Sequence, residues 1–344
     1  MNKNLSIFFV SSPLQVLAAQ CIAENIESNR DLILVFYKKN LDNVVKKNIW
    51  SKQIYMPWPR HEPEKGLFGV HKRLIKNLTL IESLIGECKS IYIYSAVYDT
   101  EAINYFVSFF QKKVGDTNFS ARILPDGVIS TVRYPLTFFK RILRKTRDFR
   151  SLVDKKLVYS HFSGDRIGSD AKFIDKIFVL NGFPHQYRKD KVVILPPLLK
   201  TKIKQNGVKY KTRALIIGQP LQGFKLMSIN NINLATNVIM QWLTEEKISD
   251  FFYKKHPKDK QSTFYNEKYH ILSDSISIEE HLAENHYDYI VGVNSTVLFF
   301  AKQICSDNSR VLSFGINKIN FRTNKEKKNL MKLFADFKIE IKYI

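Results

Sequence analysis

Cysteine is scarce in this chain and carboxylates are outnumbered, and both shortages exclude classes of protein before any motif is read. The three cysteines, Cys21, Cys88 and Cys305, are odd in number and form no C-x-x-C pair. That argues against a disulfide framework and against a zinc site, and suits thiols kept reduced in the cytoplasm. Asp and Glu number 32 against 54 Lys and Arg, a net charge of +22, so the partners are expected to be anionic. Nucleic acid, an acidic membrane surface and a phosphorylated small substrate all meet that description.

Long apolar runs are missing too. No segment approaches the ~18 consecutive apolar residues of a membrane span. The apolar stretch Leu5 to Val10 is too short for a signal peptide and runs into Ser11-Ser12-Pro13 without a small-residue cleavage site. A cytoplasmic protein, soluble or peripherally attached, is expected. The chain also lacks G-x-G-x-x-G, G-x-x-x-x-G-K-[ST], H-E-x-x-H and D-x-D, which argues against dehydrogenases of the Rossmann type, P-loop NTPases and zincins. No groove-reading motif supports nucleic acid as a partner.

What is present is a two-domain α/β pattern. With 344 residues and 44% hydrophobic content the chain can fill two cores. Leu5 to Val10 reads as a strand, the Ser11 to Gln15 turn opens a helix, and Leu32 to Tyr37 reads as a second strand. Short apolar runs at Ser90 to Tyr94, Ala121 to Leu124, Lys176 to Leu180 and Lys191 to Leu195 alternate with helical patterns, which implies a mainly parallel sheet. Pro196-Pro197 and the polar Lys200 to Lys211 stretch mark a boundary between a domain at 1–200 and a domain at 201–344. In the second, Arg213 to Gly218, Ile248 to Lys254 and Tyr289 to Val293 read as strands; Asn233 to Glu245, Glu279 to Glu284 and Asn324 to Phe337 read as helical, the last with Leu330, Leu333 and Phe334 on one side.

Four loops that follow strands carry the candidate chemistry. In a two-domain α/β protein such strand ends can converge on an interdomain cleft. Asn294, Ser295 and Thr296 stand where a helix begins, and its free N–H groups, dipole and hydroxyls suit an anion; helix capping alone is the plainer account. His256, before Pro257 and beside Lys254, Lys255 and Lys258, could donate to a departing phosphate, although a structural role is the commoner use of a lone histidine. Asp126, before Gly127, could act as a general base, while Asp-Gly is also an ordinary turn dipeptide. Glu279 and Glu280 could accept from sugar hydroxyls or merely favour a helix's first turn, and Gly218-Gln219 could let a backbone approach a phosphate.

One segment is unusually basic. Between Arg133 and Arg150 seven cations interleave with Leu136, Phe138, Phe139, Ile142, Leu143 and Phe149. A basic amphipathic helix lying on an anionic bilayer has this composition, and so has a solvated helix whose apolar side packs on its own domain.

Taken together, Ser12-Pro13-Leu14-Gln15, Asp126-Gly127, Gly218-Gln219-Pro220, His256-Pro257, Ile278-Glu279-Glu280 and Ser295-Thr296 resemble the motifs of bacterial GT-B-type sialyltransferases, most closely those acting on lipooligosaccharide, O-antigen or capsule. The resemblance implies two Rossmann-like domains, the first binding the acceptor and the second the nucleotide sugar. It implies an inverting transfer of sialic acid or a related nonulosonate from CMP-sialic acid to a galactose-type acceptor of a surface glycan. No metal and no cofactor beyond the donor is implied, and lipid-linked acceptors would give residues 133–150 an anionic inner-membrane surface as partner. By the same resemblance Asp126 deprotonates the acceptor, His256 stabilises or protonates the leaving phosphate, Ser295 and Thr296 hold that phosphate, and Glu279 or Glu280 binds the ribose. The sequence departs from the family's acidic pair at its first position, where Pro125 stands. A GT-B enzyme using another nucleotide sugar, and a non-enzymatic nucleic-acid- or membrane-binding protein, are the alternatives.

Overall fold

A computed structural model describes residues 3–127, 133–199, 212–256, 258–273, 277–305, 308–321 and 323–344. The whole Lys200 to Lys211 stretch, and Pro257, lie outside those residues. The chain divides into two compact units, Met1–Leu198 and Leu199–Ile344.

Unit 1 is built on a parallel sheet whose strands, in chain order, are β1 (Lys3–Val10), β2 (Asp31–Phe36), β3 (Lys52–Tyr55), β4 (Cys88–Ser95), β5 (Phe119–Ile123), β6 (Ile174–Leu180) and β7 (Val192–Leu195). Their spatial order is β3-β2-β1-β4-β5-β6-β7. Leu5 to Val10 are buried without a break, because a parallel sheet is covered on both faces and alternation is lost. Helix α1 (Pro13–Asn25) is buried from Leu14 through Ala23 and so has no polar stripe. Its buried Gln20 accepts at 2.7 Å from the backbone N–H of Lys46, which satisfies a polar group that burial would otherwise penalise. Helices α2 (Gly69–Ile85) and α3 (Glu101–Val114) complete the early crossovers.

The basic segment departs from the reading in which its apolar side packs on its own domain. Only Phe138–Lys145 is an α-helix (α4), followed by a tighter turn at Thr146–Leu152. The apolar side does not pack on the unit: Phe138, Phe139, Ile142, Leu143 and Phe149 are exposed. Arg144 is buried instead and donates from Nε to Asp99 Oδ1 at 2.8 Å, while Arg147 and Arg150 pair with Glu101 at 3.1 and 2.6 Å. Asp99 and Glu101 stand at the start of α3, where carboxylates suit the helix dipole, and they draw the guanidinium groups inward.

Unit 2 carries β8 (Arg213–Ile217), α5 (Ile229–Glu245), β9 (Asp250–Lys254), β10 (His270–Ile271), α6 (Ile278–Glu284), β11 (Tyr289–Gly292), α7 (Thr296–Ile304), β12 (Arg310–Phe314), α8 (Asn324–Asp336) and β13 (Glu340–Lys342). The strands are parallel, in the order β10-β9-β8-β11-β12-β13. Leu330, Leu333 and Phe334 of α8 are buried together, as their spacing requires. In each unit the order reverses beside the first strand, at β1/β4 and at β8/β11. The loops at the carboxyl ends of such a strand pair diverge to opposite faces and leave a crevice, the usual ligand position in this architecture.

Candidate active site

In unit 1 the Ser11 to Gln15 loop leaves β1 at the reversal point. Ser12 caps α1, accepting from Gln15 N at 3.3 Å, and Pro13 occupies the first helical turn, where its missing N–H costs nothing. Gln15 is buried, and both ends of its amide are engaged: Oε1 accepts from Ser11 N at 2.7 Å, and Nε2 donates to Asp126 Oδ1 at 2.9 Å. Asp126 lies three residues past β5 and is half-buried; Gly127 beside it has φ +60°, a left-handed geometry that glycine adopts without strain. Burial pushes the Asp126 carboxyl above its ordinary range, and the Gln15 hydrogen bond and the nearby Lys38 cation hold it back. A carboxylate tuned upward yet held in one orientation suits a general base.

In unit 2 three adjacent strands, β9, β8 and β11, deliver the other candidates to one edge of the sheet. Gly218 follows β8 and donates from its N–H to the carbonyl of Lys254 at 2.9 Å. A Cβ at 218 would stand 2.5 Å from Tyr253 Oη, so no larger residue fits without displacing that ring. Gln219 is buried and its Oε1 accepts from the N–H groups of both Val293 and Asn294, at 2.9 and 3.0 Å. This amide ties the loop after β8 to the loop after β11. Ser295 caps α7, accepting from Val297 N at 3.3 Å, and Thr296 is the first helical residue. The positive end of α7 therefore opens at the reversal point.

His256 and Lys255 follow β9 and are both half-buried. His256 Nδ1 accepts from Lys258 N at 3.0 Å, which in the neutral ring leaves the proton on Nε2. Glu279, in the first turn of α6, is buried and accepts from Ser277 Oγ at 2.9 Å. Burial raises its pKa, opposed by hydrogen bonds from its own backbone N–H and from Ser277 and by the Lys254 cation. Glu280 is half-buried on the same turn, and α6 packs on α7.

Hydrogen bonds thus join Gln15 to Asp126 in unit 1, with Ser12, Pro13 and Gly127 beside them in the chain; in unit 2 they join Gln219 to Asn294 and Gly218 to the strand end that precedes Lys255 and His256, while Ser295 and Thr296 follow Asn294 and Glu279 and Glu280 stand on the helix packed against α7. Lys38 had escaped the sequence analysis, and of the two lysines before His256 it is Lys254, not the expected Lys255, that stands by the buried glutamate. Lys38 lies just beyond β2 and acts on Asp126; the ending Phe36-Tyr37-Lys38-Lys39 repeats the aromatic-to-lysine pattern of Tyr253-Lys254-Lys255 and would have flagged it. Lys254 is buried, with Nζ donating to the Ser273 carbonyl, and is the cation that faces Glu279, while Lys255 is not.

Comparison with solved structures finds the same architecture in a UDP-GlcNAc 2-epimerase from Methanocaldococcus jannaschii, at 12% identity and a TM-score of 0.51 over 98% of this chain and 92% of that one. A UDP-N-acetylglucosamine 2-epimerase from Rickettsia bellii matches at 12% identity, TM-score 0.48, over 98% and 89%; MurG of Acinetobacter baumannii matches at 9%, TM-score 0.46, over 98% and 85%. At such identities the first likeness is one of fold alone, and the fold is GT-B: two α/β units on parallel sheets. Comparison with curated proteins gave no match. The family described as alpha-2,8-polysialyltransferase (POLYST) matches residues 6–313, from β1 through β12 and across every loop named above. On that span the chain belongs to the alpha-2,8-polysialyltransferase family.

Proposed function

We propose that this chain is an inverting sialyltransferase that uses CMP-sialic acid or a related CMP-nonulosonate. The observation that carries the reading is the delivery of His256, Gly218-Gln219 and Asn294-Ser295-Thr296 by three adjacent parallel strands to one sheet edge, at the N-terminus of α7. A phosphate set there meets backbone N–H groups, two hydroxyls and an imidazole N–H. Unit 2 is accordingly assigned the donor and unit 1 the acceptor.

In the proposed reaction Asp126 takes the proton of an acceptor hydroxyl as its oxygen bonds to the anomeric carbon of sialic acid. The bond from that carbon to the CMP phosphate oxygen breaks, and CMP leaves with the electron pair. His256, as a neutral ring, donates from Nε2 to the phosphate, because its Nδ1 is occupied as an acceptor. Ser295, Thr296 and the start of α7 take the remaining phosphate oxygens, Lys255 borders them, and Glu279 or Glu280 takes the ribose hydroxyls.

For the acceptor, the family description favours a sialyl end, extended through an α2,8 bond, over the galactose-type end expected from the motifs. A lipooligosaccharide, O-antigen or capsule glycan presents either. Incubating the protein with CMP-sialic acid and both galactosyl and sialyl-galactosyl oligosaccharides, with mass analysis of the products, separates them. Added sialic acid residues and released CMP are expected; Asp126→Ala and His256→Ala should each abolish both. Turnover with a UDP- or GDP-sugar instead, or near-normal turnover in either variant, would refute the assignment.

A further inference from the structure

The surface of α4 and the turn after it is inverted relative to an ordinary amphipathic segment. Arg144, Arg147 and Arg150 are spent on Asp99 and Glu101, and the large apolar groups face water: Phe138 is 78% exposed, Phe149 69% and Leu152 82%, with Phe139, Ile142, Leu143 and Val153 also exposed. Scattered exposed apolar residues are ordinary, but a concentration of this kind within residues 138–153 marks a contact surface.

The charge around it indicates what covers it. Arg141, Lys145 and Lys155 are exposed among or next to these residues. Just past Val153, Lys155 and Lys156 join Lys112 and Lys113 around a cavity of about 370 Å³. Glu82 in its lining already accepts from Lys156 Nζ at 2.8 Å. A second copy of the chain would bring +22 against +22. An apolar layer beneath anionic headgroups complements both features. Among the described residues no helix is long and apolar enough to cross a membrane, so contact would be at the surface.

We propose that residues 138–153 are a membrane-insertion face. Phe138, Phe139, Phe149 and Leu152 enter the boundary between headgroups and acyl chains, and the lysines at 112, 113, 155 and 156 hold lipid phosphates. The arginines at 144, 147 and 150 do not touch lipid; they brace the face from within. This reading goes beyond the transfer reaction and does not depend on it.

Flotation of the full chain with vesicles of equal parts phosphatidylglycerol and phosphatidylcholine tests it. The wild type should float, and a Phe138→Ser/Phe139→Ser/Phe149→Ser/Leu152→Ser variant should bind at least about tenfold more weakly at an unchanged melting temperature. Lys112→Glu/Lys155→Glu should weaken binding to these vesicles and leave binding to pure phosphatidylcholine unchanged. A polarity-sensitive fluorophore placed by Phe149→Cys in a chain whose Cys21, Cys88 and Cys305 are replaced by serine should shift to the blue on vesicle addition, a readout that leaves the other apolar groups of the face in place. The proposal is overturned by a wild type that stays in solution, by equal binding of the fourfold variant, by an unshifted fluorophore, or by a wild-type dimer that the fourfold variant converts to monomer.

Discussion

Gln15 Nε2 donates to Asp126 Oδ1 at 2.9 Å, joining the loop after β1 to the loop after β5 across 111 positions of the chain. The bond favours the ionised carboxylate, burial disfavours it, and burial is the larger influence.

A pH profile follows from that balance. A base must be ionised, so turnover should fall as pH drops through a midpoint above the ordinary aspartate value of about 3.9. Gln15→Leu removes one of the two groups that lower the pKa, and the acid limb should move to higher pH; Lys38→Met should move it the same way. Measurement of kcat against pH for the three proteins decides, and an acid limb that stays in place in both variants excludes Asp126 as the ionising group. Asp126→Asn, which keeps the shape and removes the base, should cost roughly 10²- to 10⁴-fold in kcat.

His256 should act without being protonated. Its Nδ1 accepts a backbone N–H, so an imidazolium would set two donors against each other. His256→Gln, whose side-chain amide can still donate, should retain more activity than His256→Ala. Equal kcat in the two variants would exclude hydrogen-bond donation from this position.

The Gln219 bridge should matter to both stability and donor binding. Gln219→Leu keeps the bulk and leaves the N–H groups of Val293 and Asn294 without their acceptor. A loss of about 1–3 kcal/mol in urea unfolding is expected. The KM for CMP-sialic acid should rise as the start of α7 loosens. Unchanged stability and KM would show that the loop after β11 holds itself.

A prediction for the fold alone concerns Arg122, which is buried and donates to Glu27, Tyr94 and Asp175. Arg122→Met removes one of two guanidinium partners of Glu27, which is 4% exposed and keeps Arg30 at 3.4 Å and the Ser6 hydroxyl at 2.8 Å, and should cost about 1–3 kcal/mol in denaturant unfolding. Adding Glu27→Gln should recover part of that loss. A double variant no better than the single one would show that the two side chains are not coupled.

Much of the fold was legible locally. A buried parallel strand is a short apolar run stopped by polar residues, and β1, β8, β9 and β11 each read that way; Ser12 and Ser295 announced helices because a hydroxyl before an apolar run can take a free N–H. Strands β3, β10, β12 and β13 were not read; β3, β10 and β13 are short and only partly buried, so that their apolar pattern is weak, and β12, though buried, is a five-residue run interrupted by Ser313. At the candidate site, loops could be flagged but not joined, because hydrogen bonds such as Gln15 to Asp126 and Gln219 to Val293 depend on strand order, which no local pattern encodes.

The amino-acid sequence by itself determined the α/β class, the parallel strands and the loops that follow them, since these rest on residue spacing and on groups a few positions apart. Only the tertiary structure decided which side of residues 133–150 faces the protein. Composition contains both an apolar and a cationic side, and the choice fell to Asp99 and Glu101, carboxylates distant in sequence whose pairing with Arg144, Arg147 and Arg150 turns the arginines inward and leaves the phenylalanines in water.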